Sequence, residues 1–396
     1  MVRAFAGVLC MCVLASCQTA GVGALTQAQA PPPAAEPPKT RPKPELSAKV
    51  NGERVGNGPW RVALVLPRSA AGAARQVSEE MVRAARLAMR DVGAGRLQLV
   101  VKDTGGAPQR AAAAVEEAQR EGASLVLGPL LSRTTAAAAE ASRNTGVPVI
   151  AFSSDVARAA RGTYLLAFTP AADIRRTLSY AAGQGVRRVV AFLPRDAYGR
   201  LAEPVAAEAL RRGGASLVQT VGYERTGASI EAAAESSLAA VATADALYIP
   251  DGGAVPTAIL DALKRAGATL EGRRILGSGQ WETARLSSPL LRGAVFAGPD
   301  KSGFARFADR YRSTYARQPS TIAANAYDAV AFAASLVDRD GEDPFTLAAI
   351  ENASGHRGIH GGFRFPATGV AERALAIYRV ENGRAALVGR GTTPSN

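Results

Sequence analysis

The stretch that decides the fold begins Arg61-Val62-Ala63-Leu64-Val65-Leu66, passes through an Ala-rich helical pattern from Val77 to Val92, and returns to Leu97-Gln98-Leu99-Val100-Val101. The alternation continues with a helix over Ala107 to Glu121, a strand over Ser124 to Leu127, a helix over Thr134 to Asn144 and a strand over Val147 to Ala151. Short β-branched runs separated by helices of this length call for parallel pairing through right-handed crossovers. The expected result is an α/β, doubly wound sheet with helices on both faces.

Working outward, a second series of the same kind begins near Phe168. Ile174 to Gly183, Leu201 to Arg212 and Val255 to Ala266 read as helices; Arg188 to Leu193, Ser216 to Val221, Ala244 to Ile249 and Arg274 to Leu276 read as strands. Two series imply two lobes, and 396 residues is a length that suits two lobes of ordinary size. Ile359 to Phe365 and Ala374 to Val380 flank a turn at Thr368-Gly369, a strand-turn-strand signal expected to cap the second sheet.

The composition, 47% hydrophobic and 20% charged, is that of a globular protein. Its 47 Lys and Arg against 34 Asp and Glu give a formal charge of +13, which invites a nucleic-acid partner. The N-terminus argues against one. Arg3 followed by the apolar run Ala4 to Ala15 is long enough for the core of a signal peptide and too short to span a bilayer, so the chain is expected to be exported. The Arg-rich helices, as at Arg83, Arg86 and Arg90 or Arg175 and Arg176, then read as solvated faces. Leu14-Ala15-Ser16-Cys17 resembles the lipobox of bacterial lipoproteins, which implies a signal peptide over 1–16 and lipidation at Cys17. Cys10 and Cys12 would be discarded with the signal peptide, leaving no disulfide and a fold that depends on its buried core. Residues 17–58 read as a linker, dense in proline over 31–47. An extended polyproline-like tether of about forty residues reaches on the order of 100 Å. Gln18, where inner-membrane lipoproteins carry aspartate, favours the outer membrane and a periplasmic location.

In open α/β sheets ligands collect beyond the carboxyl ends of the strands. The loops there are Gly128 to Ser132, Ser153-Ser154-Asp155, Asp196 to Gly199 with Tyr198, Asp251-Gly252-Gly253, and Ser278-Gly279-Gln280-Trp281. All five are expected to line one cleft, with Trp281 either stacking on a ligand or covering the edge of its lobe. No phosphate loop, nucleophile elbow or dinucleotide fingerprint accompanies them, and the chain reads as non-catalytic, with no cofactor. His356 and His360 share a glycine-rich stretch that reads as a surface loop and not a metal site. Asp196 and Asp251 read as turn formers, not as a glycosidase pair.

At these loops the chain resembles the type I periplasmic binding proteins, in particular the leucine/isoleucine/valine-binding branch. The segments that carry the resemblance are Leu127-Gly128-Pro129-Leu130-Leu131-Ser132, Val147-Pro148-Val149-Ile150, Phe192 to Gly199, Tyr315 to Pro319, Asn325 to Ala329 and Gly361 to Phe365. Their order and spacing span about Trp60 to Val388. The resemblance implies lobe one over 59–170 and 299–357, lobe two over 171–298 and 358–391, a hinge of three connections, and a small polar, amino-acid-like ligand passed to an ABC permease. It places Ser132 near a ligand carboxylate and Tyr198 in the cleft. Asp155, where the family commonly has threonine, and Gln280, where an acid would meet the ligand ammonium, are departures. A second branch of the same fold consists of outer-membrane lipoproteins that activate penicillin-binding proteins. This chain shares the lipobox, tether and binding module of that branch but lacks the helical-repeat domain before Trp60.

Overall fold

The computed structural model describes residues 45–337, 343–351 and 355–391; the expected signal peptide, the Cys17 anchor and most of the linker lie outside them. The first sheet contains β1 (Glu53–Val55), β2 (Trp60–Leu66), β3 (Leu97–Asp103), β4 (Ala123–Leu127), β5 (Val149–Ala151) and β6 (Thr163–Leu165), in the order β1-β3-β2-β4-β5-β6. β2 to β6 run parallel, and β1 closes the edge antiparallel to β3. Three helices make the crossovers: α1 (Ala73–Ala88), α2 (Pro108–Arg120) and α3 (Ser132–Thr145). Every residue of β2 and β4 is buried, as parallel strands covered on both faces must be, which explains their mainly apolar sequences; the charged exception, Arg61, donates from Nε to Gln98 Oε1 at 2.7 Å. The helix expected over Val77 to Val92 starts and ends earlier, at Ala73 and Ala88, and runs into a π-helical turn over Met89–Gly93.

The second sheet repeats the plan. α4 (Pro170–Gly183) leads into β7 (Arg188–Pro194), α5 (Ala197–Arg212), β8 (Ser216–Tyr223), α6 (Gly227–Thr243), β9 (Ala246–Tyr248), α7 (Val255–Arg265), β10 (Arg274–Leu276) and β11 (Val295–Gly298). The chain then returns to the first lobe with α8 (Lys301–Tyr315), α9 (Ala323–Val337) and α10 (Leu347–Glu351). Phe307, Tyr311, Tyr327, Phe332 and Ile350 on these helices join the core formed by β2, β3 and α1.

The C-terminal strands depart from the sequence reading. β12 (His356–Gly358), β13 (Gly361–Arg364) and β14 (Glu372–Arg373) form a small sheet of their own. Phe363, Phe365 and Ala371 are buried in the first core, and Leu165 bridges to Val370. The stretch from 358 to about 373, assigned to lobe two, therefore packs with lobe one, because its aromatic side chains complete the cluster around Phe332. Only β15 (Ala376–Glu381) and β16 (Arg384–Gly389) cap the second sheet, whose order is β16-β15-β11-β10-β9-β7-β8. The capping hairpin turns at Asn382-Gly383, both at positive φ, and not at Thr368-Gly369.

Truncating Phe363 to alanine should cost about 3–5 kcal/mol, the usual penalty for an emptied aromatic core site. Hydrogen exchange should locate the loosening in β2 and β4, whereas preferential loosening of β7 and β9 would return the segment to the second lobe.

Candidate functional site

Strand order fixes where the polar loops converge. In the first lobe the winding reverses between β2 and β4, and in the second between β7 and β9. Such switch points open a crevice at the carboxyl ends of the strands. On the first-lobe side, β4 is followed by Gly128, whose φ of 97° suits glycine and whose missing Cβ leaves room for the Val65 carbonyl. The loop delivers Ser132 to the start of α3, where its Oγ donates to Asp155 Oδ2 at 2.5 Å. That bond is the strongest influence holding the Asp155 carboxyl below its usual range, reinforced by Arg158 Nε at 3.1 Å and the Ala157 amide at 3.2 Å. Ser153 is buried and accepts from the Asp155 amide, while Ser154 faces solvent. The hydroxyl expected to meet a ligand carboxylate is thus occupied by the carboxylate of the chain itself.

On the second-lobe side Asp196 caps α5 by accepting from the Gly199 amide, and Tyr198 Oη donates to Ser278 Oγ at 3.1 Å. Arg225, which the sequence reading passed over, ties the two strand-end acids together. Its Nη1 lies 2.8 Å from Asp196 Oδ2 and its Nε 2.8 Å from Asp251 Oδ2, while Tyr223 Oη donates to the same Asp251 oxygen at 2.7 Å. Burial tends to raise the Asp196 carboxyl, but the Gly199 amide and Arg225 outweigh it and the net direction is down. Trp281 is not a cleft residue: it is fully buried, its Nε1 donates to the Ile249 carbonyl at 2.8 Å, and its ring packs on Phe296 inside the second core. Gln280 beside it is exposed.

Between the lobes lies a cavity of about 290 Å³ bordered by all three chain crossings: Phe168 to Pro170, Gly298-Pro299 and Leu375. Thr321 reaches it from the first lobe, and Asp173, Gly279, Gln280 and Glu282 from the second. Of the sequence-predicted residues only Gln280 borders this space; Ser132 and Asp155 form one group, and Tyr198, Asp251 and Asp196 another. Asp173, missed because the helix was read as starting at Ile174, sits in the first turn of α4. Its Oδ2 accepts from the Gly279 amide at 3.1 Å, whereas its Oδ1 is buried with no hydrogen-bond partner among the described residues. Burial, with a smaller push from Glu282, raises this carboxyl to about 8 against the pull of the Gly279 and Ile174 amides.

The histidines correct the surface-loop reading. His356 opens β12, and His360 is 1% exposed, stacked on Phe304 and edge-on to Phe168, with Nε2 3.2 Å from the Thr321 carbonyl. Burial first, and the charge of Arg373 after it, lower His360 to about 4 from 6.5, although Thr321 and Asp300 oppose them. A histidine buried neutral contributes stability that is complete above its unfolded value and is lost as the pH falls from 6.5 toward 4. His360→Phe should flatten that part of the stability profile in denaturant titrations; an unchanged acid limb would show that His360 is already charged in the native state. Among the described residues no His/Cys/Asp/Glu cluster could hold a metal ion.

Two doubly wound lobes joined by three crossings around a small cavity with acidic and apolar walls define a bivalve binding module. Residues 59–385 match the family described as periplasmic binding protein, and the chain belongs to it. A protein described as a branched-chain amino acid ABC transporter of Rhodospirillum rubrum is 19% identical with a TM-score of 0.71, over 83% of this chain and 99% of that one. An ABC transporter substrate-binding protein from Desulfitobacterium hafniense in complex with Leu is 19% identical with a TM-score of 0.58, over 83% and 99%. A solute-binding protein of R. palustris in complex with benzoate is 18% identical with a TM-score of 0.53, over 85% and 97%. No curated protein sequence matches the chain.

Proposed function

We propose that this protein is the non-catalytic solute receptor of an ABC-type uptake or sensing system, carrying a small polar ligand between its lobes to a permease. The observation that supports this most is the cavity at the hinge, to which both lobes and all three crossings contribute. A ligand there has differential affinity for the closed arrangement, and closure creates a surface that a partner can read. The relatives whose descriptions name Leu and benzoate support a small-molecule cargo. Thermal-shift screening of the mature chain should find one chemical class that stabilises it; at a hundred times its dissociation constant a ligand adds about 2.7 kcal/mol. Small-angle scattering with that ligand should report a more compact particle. Stabilisation without compaction would count against hinge closure.

One observation favours the alternative, an activator of a cell-wall synthase. Asp155 satisfies Ser132, and Arg225 satisfies Asp196 and Asp251, so both rims of the cleft are complete without a ligand. In that reading the lobes serve as a protein-contact surface for a penicillin-binding protein, and the proline-rich stretch 31–47 spans the distance to it. Silence across the screen from a cooperatively folded protein would favour it.

Both readings include lipidation at Cys17 and an outer-membrane anchor. Metabolic labelling with a fatty acid should mark the protein and Cys17→Ser should abolish the label, with the labelled form sedimenting with outer-membrane fragments. Label retained in Cys17→Ser would remove the anchor.

A further inference from the structure

The receptor reading leaves the cargo open, and the hinge cavity narrows it. We propose that the ligand is a primary amine with a short apolar body and no α-carboxylate, its ammonium seated between Asp173 and Glu282. This rests on the receptor reading and specifies its substrate class.

Two sets of observations point the same way. Among the described residues, the side chains bordering the cavity include two carboxyl groups, Asp173 and Glu282, and no cation. Asp173 Oδ1 is enclosed and lacks a partner, a position that normally costs the fold and that a ligand donor would repair. Glu282 accepts from Lys301 Nζ at 3.3 Å through Oε1, so its second oxygen can take a further donor. The rest of the wall, Phe168, Pro170, Pro299 and Leu375, is apolar and suits a hydrocarbon body of a few carbons in about 290 Å³.

The other end of an amino acid has no equivalent place. A ligand carboxylate in this cavity would meet no cation among the described lining residues and would have to compete with Glu282 for Lys301. At the first-lobe rim Ser132 is held by Asp155, which is itself anchored by Arg158 and by the Ala157 amide. An incoming carboxylate would have to displace a carboxylate already in place.

The pairing also carries a proton signature. Burial holds the Asp173 carboxyl up at about 8; the groups facing it are Glu282, the phenols of Tyr198 and Tyr248, and the Gly279 and Ile174 amides, with Lys301 acting on Glu282 from outside. An ammonium favours the ionised form, so binding at neutral pH releases a proton and affinity rises with pH toward 8.

The test uses matched pairs that differ at the polar end: isoamylamine against leucine, and benzylamine against benzoate, titrated calorimetrically into the mature lipoprotein in detergent in two buffers of different ionisation heat. The expected result is binding of one or both amines at least tenfold tighter than the paired acid, with proton release. Asp173→Asn, which keeps an acceptor for the Gly279 amide, should weaken the amine more than tenfold without lowering the melting temperature. Glu282→Gln, on an exposed turn, gives a second variant with a smaller loss should the first not fold. Tighter binding of leucine or benzoate would overturn the amine assignment and leave the receptor reading standing. So would amine binding indifferent to both substitutions. Silence from these four compounds alongside a hit elsewhere in the broader screen would also remove the amine, whereas silence throughout would remove the receptor reading itself.

Discussion

The chain passes between its two sheets at three points, and all three are held by one buried cluster. The Arg373 guanidinium lies 4.1 Å from the Phe168 ring centroid, so the third crossing is stacked on the first. His360 meets the same Phe168 and also Phe304, just after the second crossing, while Tyr378 Oη donates to the Pro299 carbonyl at 2.7 Å. A buried guanidinium is costly unless compensated. Here Nη2 donates to Asn325 Oδ1 at 2.9 Å, two aromatic faces lie below the charge, and the Asp328 carboxylate supplies opposite charge at longer range. Compensation is incomplete, since Arg373 Nε and Nη1 and Asp328 Oδ2 have no partners among the described residues. Burial pushes Asp328 up to about 7, so the acid that offsets Arg373 is itself held reluctantly.

This arrangement explains why the residues after His356 had to pack with the first lobe. Phe363 and Phe365 close the aromatic cluster around Phe332, and the β13–β14 pairing that follows places Arg373 against Phe168. Were that stretch to join the second sheet, Arg373 would lose both aromatic faces and the first core would be left open. The charged exterior contributes far less. Many of its ion pairs are exposed, such as Arg211 and Arg212 with Glu208, and solvent screening leaves pairs of that kind little weight in the fold.

The parallel sheets were legible because their physics is local: a strand buried on both faces must be mostly apolar, and the helices between must repeat at helical spacing. β2, β4 and β7 therefore stand in the sequence nearly as they stand in the fold. The edge strands β1 and β6 and the strand β11 are three or four residues long and carry little pattern, so their pairing comes from the sheet and not from their own composition. Site residues divided in a similar way. Ser132, Tyr198 and Asp251 follow strands that were recognised, and they could be read from position. Arg225 follows β8, the edge strand of its sheet and not one that flanks the switch point, and Trp281 looked like a cleft residue because no sequence feature shows that its ring turns back under Ile249. Asp173 was hidden by a boundary error at the start of a helix, the least certain feature of any sequence reading.

The polar groups of the cleft fall into two kinds, and the distinction has a physical consequence. At the rims, carboxylates are paired: Asp155 with Ser132 and Arg158, Asp196 and Asp251 with Arg225. Such groups lose water and partners when a ligand intrudes, so they resist binding more than they promote it. At the hinge, Asp173 is enclosed and only half satisfied. An unmet buried acceptor is a standing cost to the folded state, and whatever supplies its partner recovers that cost as binding energy. The residues around it belong to the three crossings, so on the receptor reading a ligand there touches both lobes at once. A hundredfold difference in affinity shifts the equilibrium by about 2.7 kcal/mol, enough to convert a minor closed population into the major one. On the receptor reading the hinge cavity, where a buried acceptor still lacks its partner, has more to offer a small ligand than the rims, whose carboxylates are already paired.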